Sequence, residues 1–462
     1  MSQYLYGASV QGIQNFIFSS NELREIVGAS EIVKEINEMF GREFEDKKDV
    51  EILLNAAGNI KAVFKDKGTL EKHILEFEKK IRQKAYGITI SQAVVEFRGE
   101  AKDYLKVLEE KLKVQRNRPT ISLDRFISIM DLSPKKGRPL FQKAKEANLD
   151  KASFQKRVKY SEWFREKLKE NPALLTKEYK DISQLSNFKN KIAVIHIDGN
   201  GLGELIPKLK KEYNIEISDF SKRLDKTTKE AFREAVEKVF KDDKRYRDVI
   251  LGGDDVSVIM SADFALDFVR EYLNLFEKKT SEIFKGKRKL TAAAGIAYCN
   301  EKFPFHYAIN LAEELCSEVK KRSKRQNSAL MFHNIQSSYF TSFDEIKEKE
   351  LKIKEIEFDF GPYYFDKEPN VDTLLELIGM LRDDKSPASK LRDLLKELDS
   401  EFIKHKIKRV KEMAKKRGFD VERFEGLFRK LNENLSFDNL AADNKTPLYD
   451  ILQIISITKE IK

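Results

Sequence analysis

Two apolar runs, Val249-Ile-Leu251 and Val256-Ser-Val-Ile-Met260, flank the tetrad Gly252-Gly253-Asp254-Asp255. Runs rich in Val and Ile, broken by a glycine pair, form a β-hairpin because glycine accepts the positive φ of a tight turn. The turn sets two adjacent carboxylates at the edge of a sheet. Carboxylates side by side repel each other. A divalent cation relieves that repulsion, and Mg2+ prefers carboxylates together with substrate phosphates. Taken alone, the tetrad fits a solvated acidic turn equally well.

A second stretch shifts the balance. Lys191-Ile-Ala-Val-Ile-His-Ile197 has the pattern of a buried strand and ends at Asp198. The loop Gly199, Asn200, Gly201, Leu202, Gly203 follows, and a glycine-rich loop after a strand lets backbone amides approach a phosphate. An acid at a strand end, followed some 55 residues later by a Gly-Gly-Asp-Asp hairpin, is the layout of a nucleotidyl-transferring palm. Asp198, Asp254 and Asp255 then lie on neighbouring strand tips, where they can hold two metals on a triphosphate.

The order of elements predicts an α+β fold built twice. Strands at Tyr4–Val10, Glu51–Asn55, Ile60–Phe64 and Thr89–Phe97, with helical periodicity between them, follow the order β-α-β-β-α-β of a ferredoxin-like palm. The same order recurs from Lys191: a helix through Phe220–Phe240 with Ser218 as N-cap, the hairpin, a helix from Ala262, a strand Leu290–Tyr298, a helix from Tyr307 to about Arg322, and Ala329–His333 closing the sheet. Aligning the repeats sets Ser9, Gly58 and Asn59 of the first palm against Asp198, Asp254 and Asp255 of the second. Only the second palm keeps the acids. We therefore expect a degenerate, non-catalytic first palm over residues 1–114 and a basic helical linker over 115–189. A catalytic palm over 190–336 and a C-terminal helical domain over 337–462 follow.

Composition narrows the setting. The 462 residues are 41% hydrophobic, enough for several cores, and a net charge of +10 favours polyanionic partners. Cys299 and Cys316 are the only cysteines, so a disulfide framework or a zinc site is not expected. No apolar run has the length of a membrane span, and the start lacks a signal-peptide pattern, so a cytoplasmic protein without membrane contact is expected. The basic run Lys404-His-Lys-Ile-Lys-Arg-Val-Lys411 reads first as a solvated helix face.

These residues resemble the large-subunit family of type III CRISPR effector complexes, the two-palm polymerase/cyclases. The resemblance rests on Gly12-Ile-Gln-Asn-Phe-Ile-Phe18 with Glu25-Ile-Val-Gly-Ala-Ser30, on the Gly252 tetrad, and on Leu290-Thr-Ala-Ala-Ala-Gly-Ile296. Lys302-Phe-Pro-Phe305, Ala312–Lys320 and Ser328–His333 complete it. It implies polymerisation and cyclisation of nucleoside triphosphates, usually ATP, into cyclic oligonucleotide messengers in antiviral defence, with Mg2+ or Mn2+. It implies Asp198, Asp254 and Asp255, with Ile197, as the metal set. Gly199 to Gly203, Gly252, Gly253 and Lys320 are then the nucleotide contacts, with Ser30 and Asn59 completing a second pocket. Guide or target RNA and other effector subunits are the implied partners. The chain departs from the family in having no His-Asp dipeptide, so DNase activity is not expected. It also lacks the cysteine zinc site and has Asn200 where an acid is common. The alternative is a catalytically silent subunit that senses nucleotide or RNA. A diguanylate-cyclase-like enzyme is disfavoured by the missing Glu-Phe ending of the tetrad.

Overall fold

The computed structural model describes residues 3–44, 47–56, 58–118, 129–134, 136–143, 148–170, 182–241, 243, 245–336, 340, 342–398, 400 and 402–458. Ala57 and parts of the 115–189 segment lie outside them. The chain forms two compact units, residues 1–182 with 206–225 and residues 183–205 with 226–462.

In the first unit, β1 (Gln3–Gln11) leads through α1 (Ile13–Phe18) and α2 (Leu23–Phe44) to the hairpin β2 (Val50–Ala56) and β3 (Asn59–Phe64). Then come α3 (Lys67–Lys84), β4 (Thr89–Phe97) and α4 (Leu105–Arg116). The antiparallel sheet has the order β2-β3-β1-β4, the ferredoxin-like arrangement expected. Strand β1 is buried from Leu5 to Val10 and β4 alternates, and the face turned to α4 forms a core of Leu5, Val95, Leu108 and Leu112. The 115–189 segment contributes a small hairpin, β5 (Leu140–Lys143) and β6 (Asn148–Asp150), and the helix α5 (Lys151–Glu170). Helix α5 crosses α2 at Gly28, where a Cβ would come within 1.9 Å of the Lys156 carbonyl oxygen. Charge fastens the same contact: buried Glu25 on α2 receives Arg157 at 2.9 Å and Ser153 at 3.1 Å. These polar partners on α5 are not legible from periodicity.

The second unit repeats the pattern. It has β7 (Lys191–Gly199), the short α6 (Leu202–Leu205), α7 (Ile217–Phe240), the hairpin β8 (Tyr246–Gly252) and β9 (Asp255–Ser261), and α8 (Ala265–Ile283). After these come β10 (Ala292–Asn300), α9 (Phe305–Arg322) and β11 (Ala329–Asn334). Residues 206–225, including the first residues of α7, cluster with the first unit. Helix α7 starts at Ile217, so Ser218 sits inside its first turn and is not the cap. The sheet order is β14-β11-β10-β7-β9-β8. Strand β11 does not close it: α10 (Phe343–Lys349), β12 (Lys352–Ile353) and β13 (Ile356–Glu357) lead to β14 (Tyr363–Tyr364), which pairs outside β11. The remaining helices are α11 (Val371–Arg382), α12 (Ala388–Leu395), α13 (Ile403–Lys416), α14 (Val421–Leu431) and α15 (Leu448–Ile457). No helix among the described residues is long and apolar enough to cross a membrane.

Small residues let α9 settle on the sheet. At Gly295 of β10, a Cβ would lie 2.0 Å from the Ala312 carbonyl oxygen and 2.6 Å from the Cys316 amide nitrogen. A methyl group there forces α9 off the strand. Gly295→Ala is expected to destabilise the protein by about 2 kcal/mol or more, measured by chemical denaturation. A neutral effect contradicts this close approach.

Candidate active site at the second-palm hairpin

The register of the second sheet assembles the acids. Antiparallel pairing of β7 with β9 runs from Ile192↔Ser261 to Asp198↔Asp255, so two carboxylates stand opposite each other on the same face. Strands β8 and β9 pair Gly252 with Asp255, leaving Gly253 and Asp254 as a two-residue turn. Gly253 takes φ +63°, while Asp254 stays at negative φ, the pattern of a type II′ hairpin. Asp254 folds over the end of β7: a Cβ on Gly199 would meet the Asp254 Cβ at 2.9 Å. The first palm carries the same register without the charge. There Ser9 pairs with Asn59 and donates its hydroxyl to the Asn59 side-chain oxygen at 3.1 Å.

Crowded charge shapes the electrostatics. Burial first, then the Asp198 charge, pushes the Asp254 carboxyl up to about 6. Burial, followed by Asp198, Asp254 and Glu313, raises Asp255 well above the usual carboxylate range. Beneath them His196 lies 3.5 Å from Asp255 Oδ1, but its Nδ1 is engaged by Ser257 Oγ at 3.1 Å. Burial lowers this imidazole to about 4, so it is neutral and supplies no countercharge. Asp255 Oδ1 is left buried with no hydrogen-bond partner among the described residues. An orphaned carboxylate oxygen beside two further acids is a donor set for a hard divalent cation. The residues therefore fit the metal expected here. That fit is one of donor chemistry: as they stand, no three or more acidic, His or Cys side chains among the described residues are grouped to hold a metal ion.

The protein itself supplies a cation to this site. Lys320, in the last turn of α9, places its ammonium 2.5 Å from Asp198 Oδ2 and 2.9 Å from the Gly199 carbonyl oxygen. Its side chain is 13% exposed and that of Asp198 40%. The other expected contacts divide. Gly199 ends β7, and Gly201 adopts φ +69° ahead of α6, which opens at Leu202 and Gly203. Asn200 is buried and turned inward: its amide nitrogen reaches Thr291 Oγ1 at 3.1 Å and the Asn327 carbonyl at 3.2 Å. Ser30 is buried within α2, and Asn59 is exposed at the start of β3, both in the first unit. Sequence reasoning missed Glu313, on α9 two turns before Lys320. Burial and neighbouring Glu314 raise its carboxyl to about 7, and its Oε1 has no partner among the described residues. Its spacing of seven residues from Lys320, which sets the two on one face of α9, was the available signal.

The fold and the acid-tipped strands define a palm domain. Residues 191–330 match the family model described as Cas10/Cmr2, second palm domain. This stretch is therefore similar to the second palm domain of the Cas10/Cmr2 family. Solved structures share the fold. A Csm1–Csm4 cassette in complex with pppApApA aligns over 98% of this chain and 69% of its own, at 13% identity and TM-score 0.59. Csm1 of T. onnurineus aligns over 99% and 70%, at 13% identity and TM-score 0.55. A Csm1–Csm4 cassette in complex with cA4 aligns over 98% and 69%, at 14% identity and TM-score 0.52. No curated protein matches in sequence.

The raised Asp254 pKa has a stability consequence with a definite sign. A carboxyl whose folded pKa lies above its unfolded value of 3.8 binds more protons folded, so stability falls as pH rises from about 4 to about 6. Above that window the whole penalty is present. Asp254→Asn removes it, and because Asp254 is half-exposed, water screens much of the effect. The metal-free variant is expected to gain about 1 kcal/mol, or about 2 °C in Tm, at pH 7.5 and nothing at pH 4. Thermal melts at the two pH values measure this, and an unchanged or lowered Tm at pH 7.5 contradicts it.

Proposed function

We propose that the chain is a nucleotidyltransferase that joins and cyclises nucleoside triphosphates, with ATP as substrate and pyrophosphate as the leaving product. The observation that carries this reading is the pairing of Asp198 with Asp255 beside Asp254, with a buried oxygen of Asp255 left unsatisfied. Adenylate ligands in Csm1–Csm4 cassettes of the same fold, pppApApA and cA4, support ATP and a cyclic oligoadenylate product. Asp198, Asp254 and Asp255, with Ile197, would hold Mg2+ or Mn2+. Such ions, when bound, lower the pKa of a ribose 3′-hydroxyl and neutralise the triphosphate.

The protein's own residues position the reactants. Lys320 moves its ammonium from Asp198 to the triphosphate, a charge-assisted contact. The Asn200 amide already donates to the Thr291 carbonyl at 2.8 Å. The loop amides offered to phosphate are therefore those of Gly201, Leu202 and Gly203, with Gly252 and Gly253 giving the backbone room to approach. Ser30 and Asn59 belong to the second nucleotide pocket, which the acid-free first palm supplies. Guide or target RNA and a Csm4-like subunit are the proposed partners. Most of the acceleration comes from positioning and charge neutralisation.

A second reading has one observation in its favour. The Lys320–Asp198 ion pair satisfies an acid internally, as expected of a silent, nucleotide-sensing subunit. Incubation with each triphosphate plus Mn2+, followed by mass spectrometry, separates the two. The enzyme reading predicts pyrophosphate and a cyclic oligoadenylate, both lost in Asp254→Ala/Asp255→Ala. Lys320→Ala is expected to raise KM for ATP about tenfold. Nucleotide binding without turnover, alone or with target RNA, supports the silent subunit and overturns the enzyme.

A further inference from the structure

A buried hydroxyl relay holds the acidic turn from behind. Helix α7 turns Leu224, Ala231 and Ala235 into the core, all fully or almost fully buried. Thr228 shares that stripe at helical spacing and is itself fully buried. A threonine in an apolar stripe needs a partner for its hydroxyl. Its Oγ1 donates to the carbonyl oxygen of Gly253 at 2.5 Å. Behind it, the hydroxyl of Tyr272 on α8 adjoins Thr228. The tyrosine ring is stacked in a row with Phe268 and Phe276, at centroid separations of 6.0 and 5.9 Å. Stacking on both sides fixes where its hydroxyl points.

The atom that Thr228 grips matters. In a two-residue turn over Gly253 and Asp254, the Gly253 carbonyl belongs to the central peptide. Rotation of that peptide interconverts the primed turn types; glycine at the first central position does not oppose it, while the alternative asks a positive φ of Asp254. A flip would turn the Asp254 amide over and strain the backbone of Asp254, whose side chain leans over Gly199. Holding the carbonyl from the core removes that freedom without touching the reacting groups.

We infer that Thr228, backed by Tyr272, is a positioning residue that locks the central peptide of the Gly-Gly-Asp-Asp turn and so keeps Asp254 in register with Asp198 and Asp255. This rests on the reading of those acids as a metal and triphosphate site, but the lock itself can be measured without turnover. The variants are Thr228→Val, which keeps the shape and removes the donor, and Thr228→Ser, which keeps the hydroxyl. Thr228→Val/Tyr272→Phe also spares the core an unpaired tyrosine hydroxyl. Two readouts are taken on the full chain: hydrogen–deuterium exchange of the peptide spanning 250–257, and Mn2+ affinity by electron paramagnetic resonance.

Thr228→Val and the double variant are expected to exchange the turn amides at least tenfold faster and to bind Mn2+ about tenfold more weakly, with Thr228→Ser close to wild type on both. A folding defect shows as faster exchange throughout β7 and β10, which the double variant should not display. Unchanged exchange in the turn of both valine variants overturns the lock. Faster turn exchange with unchanged Mn2+ affinity overturns its positioning role. Failure of the wild type to bind Mn2+ overturns instead the reading of the acids, while the exchange data still decide whether the lock exists.

Discussion

The second unit is organised around one register. Asp198 stands opposite Asp255 because β7 and β9 pair as they do, and a slip by one residue would send the two carboxylates to opposite faces. The register in turn depends on the buried residues of both strands, from Ile192 and Ala193 to Val258 and Met260. Hydrophobic packing thus positions an arrangement that is itself unfavourable: two acids facing each other, with a third folded over the strand end. Most of a protein avoids such contacts. Here the surrounding sheet tolerates them, and the raised Asp254 and Asp255 carboxyls are the measure of that strain.

The two palms show what the charge adds. Their hairpins have equivalent registers, Ser9↔Asn59 in one and Asp198↔Asp255 in the other. In the first, neutral side chains satisfy each other with a hydrogen bond. In the second, Asp198 takes a lysine ammonium and Asp255 Oδ1 has no hydrogen-bond partner among the described residues. The same backbone supports a quiet pairing and a charged one, so the fold alone does not carry the chemistry. The side chains at three positions do.

Much of this was legible in the residues. Alternating and continuous apolar runs located the strands of both palms, since period-two burial and glycine-marked turns are local signals. The acid triad was legible because its members sit at strand ends that the topology brings together. Polar contacts at long sequence separation were not legible. Periodicity could not tell that Asn200 would turn inward to Thr291, or that Arg157 and Ser153 on α5 would fasten Glu25 of α2. Strand β14 was missed because a two-residue edge strand has no period to read. Ser218 was read as a cap because the residue type fits, but α7 starts one residue earlier.

The central claim is that Asp198, Asp254 and Asp255 share a divalent cation that draws the Lys320 ammonium away from Asp198. Crystals grown with Mn2+ and a non-hydrolysable ATP analogue, measured at the manganese absorption edge, test it directly. The account predicts an anomalous peak bounded by all three carboxylates, with Lys320 shifted onto the triphosphate. A map with no peak there, and with the Lys320–Asp198 pair intact beside bound nucleotide, contradicts it.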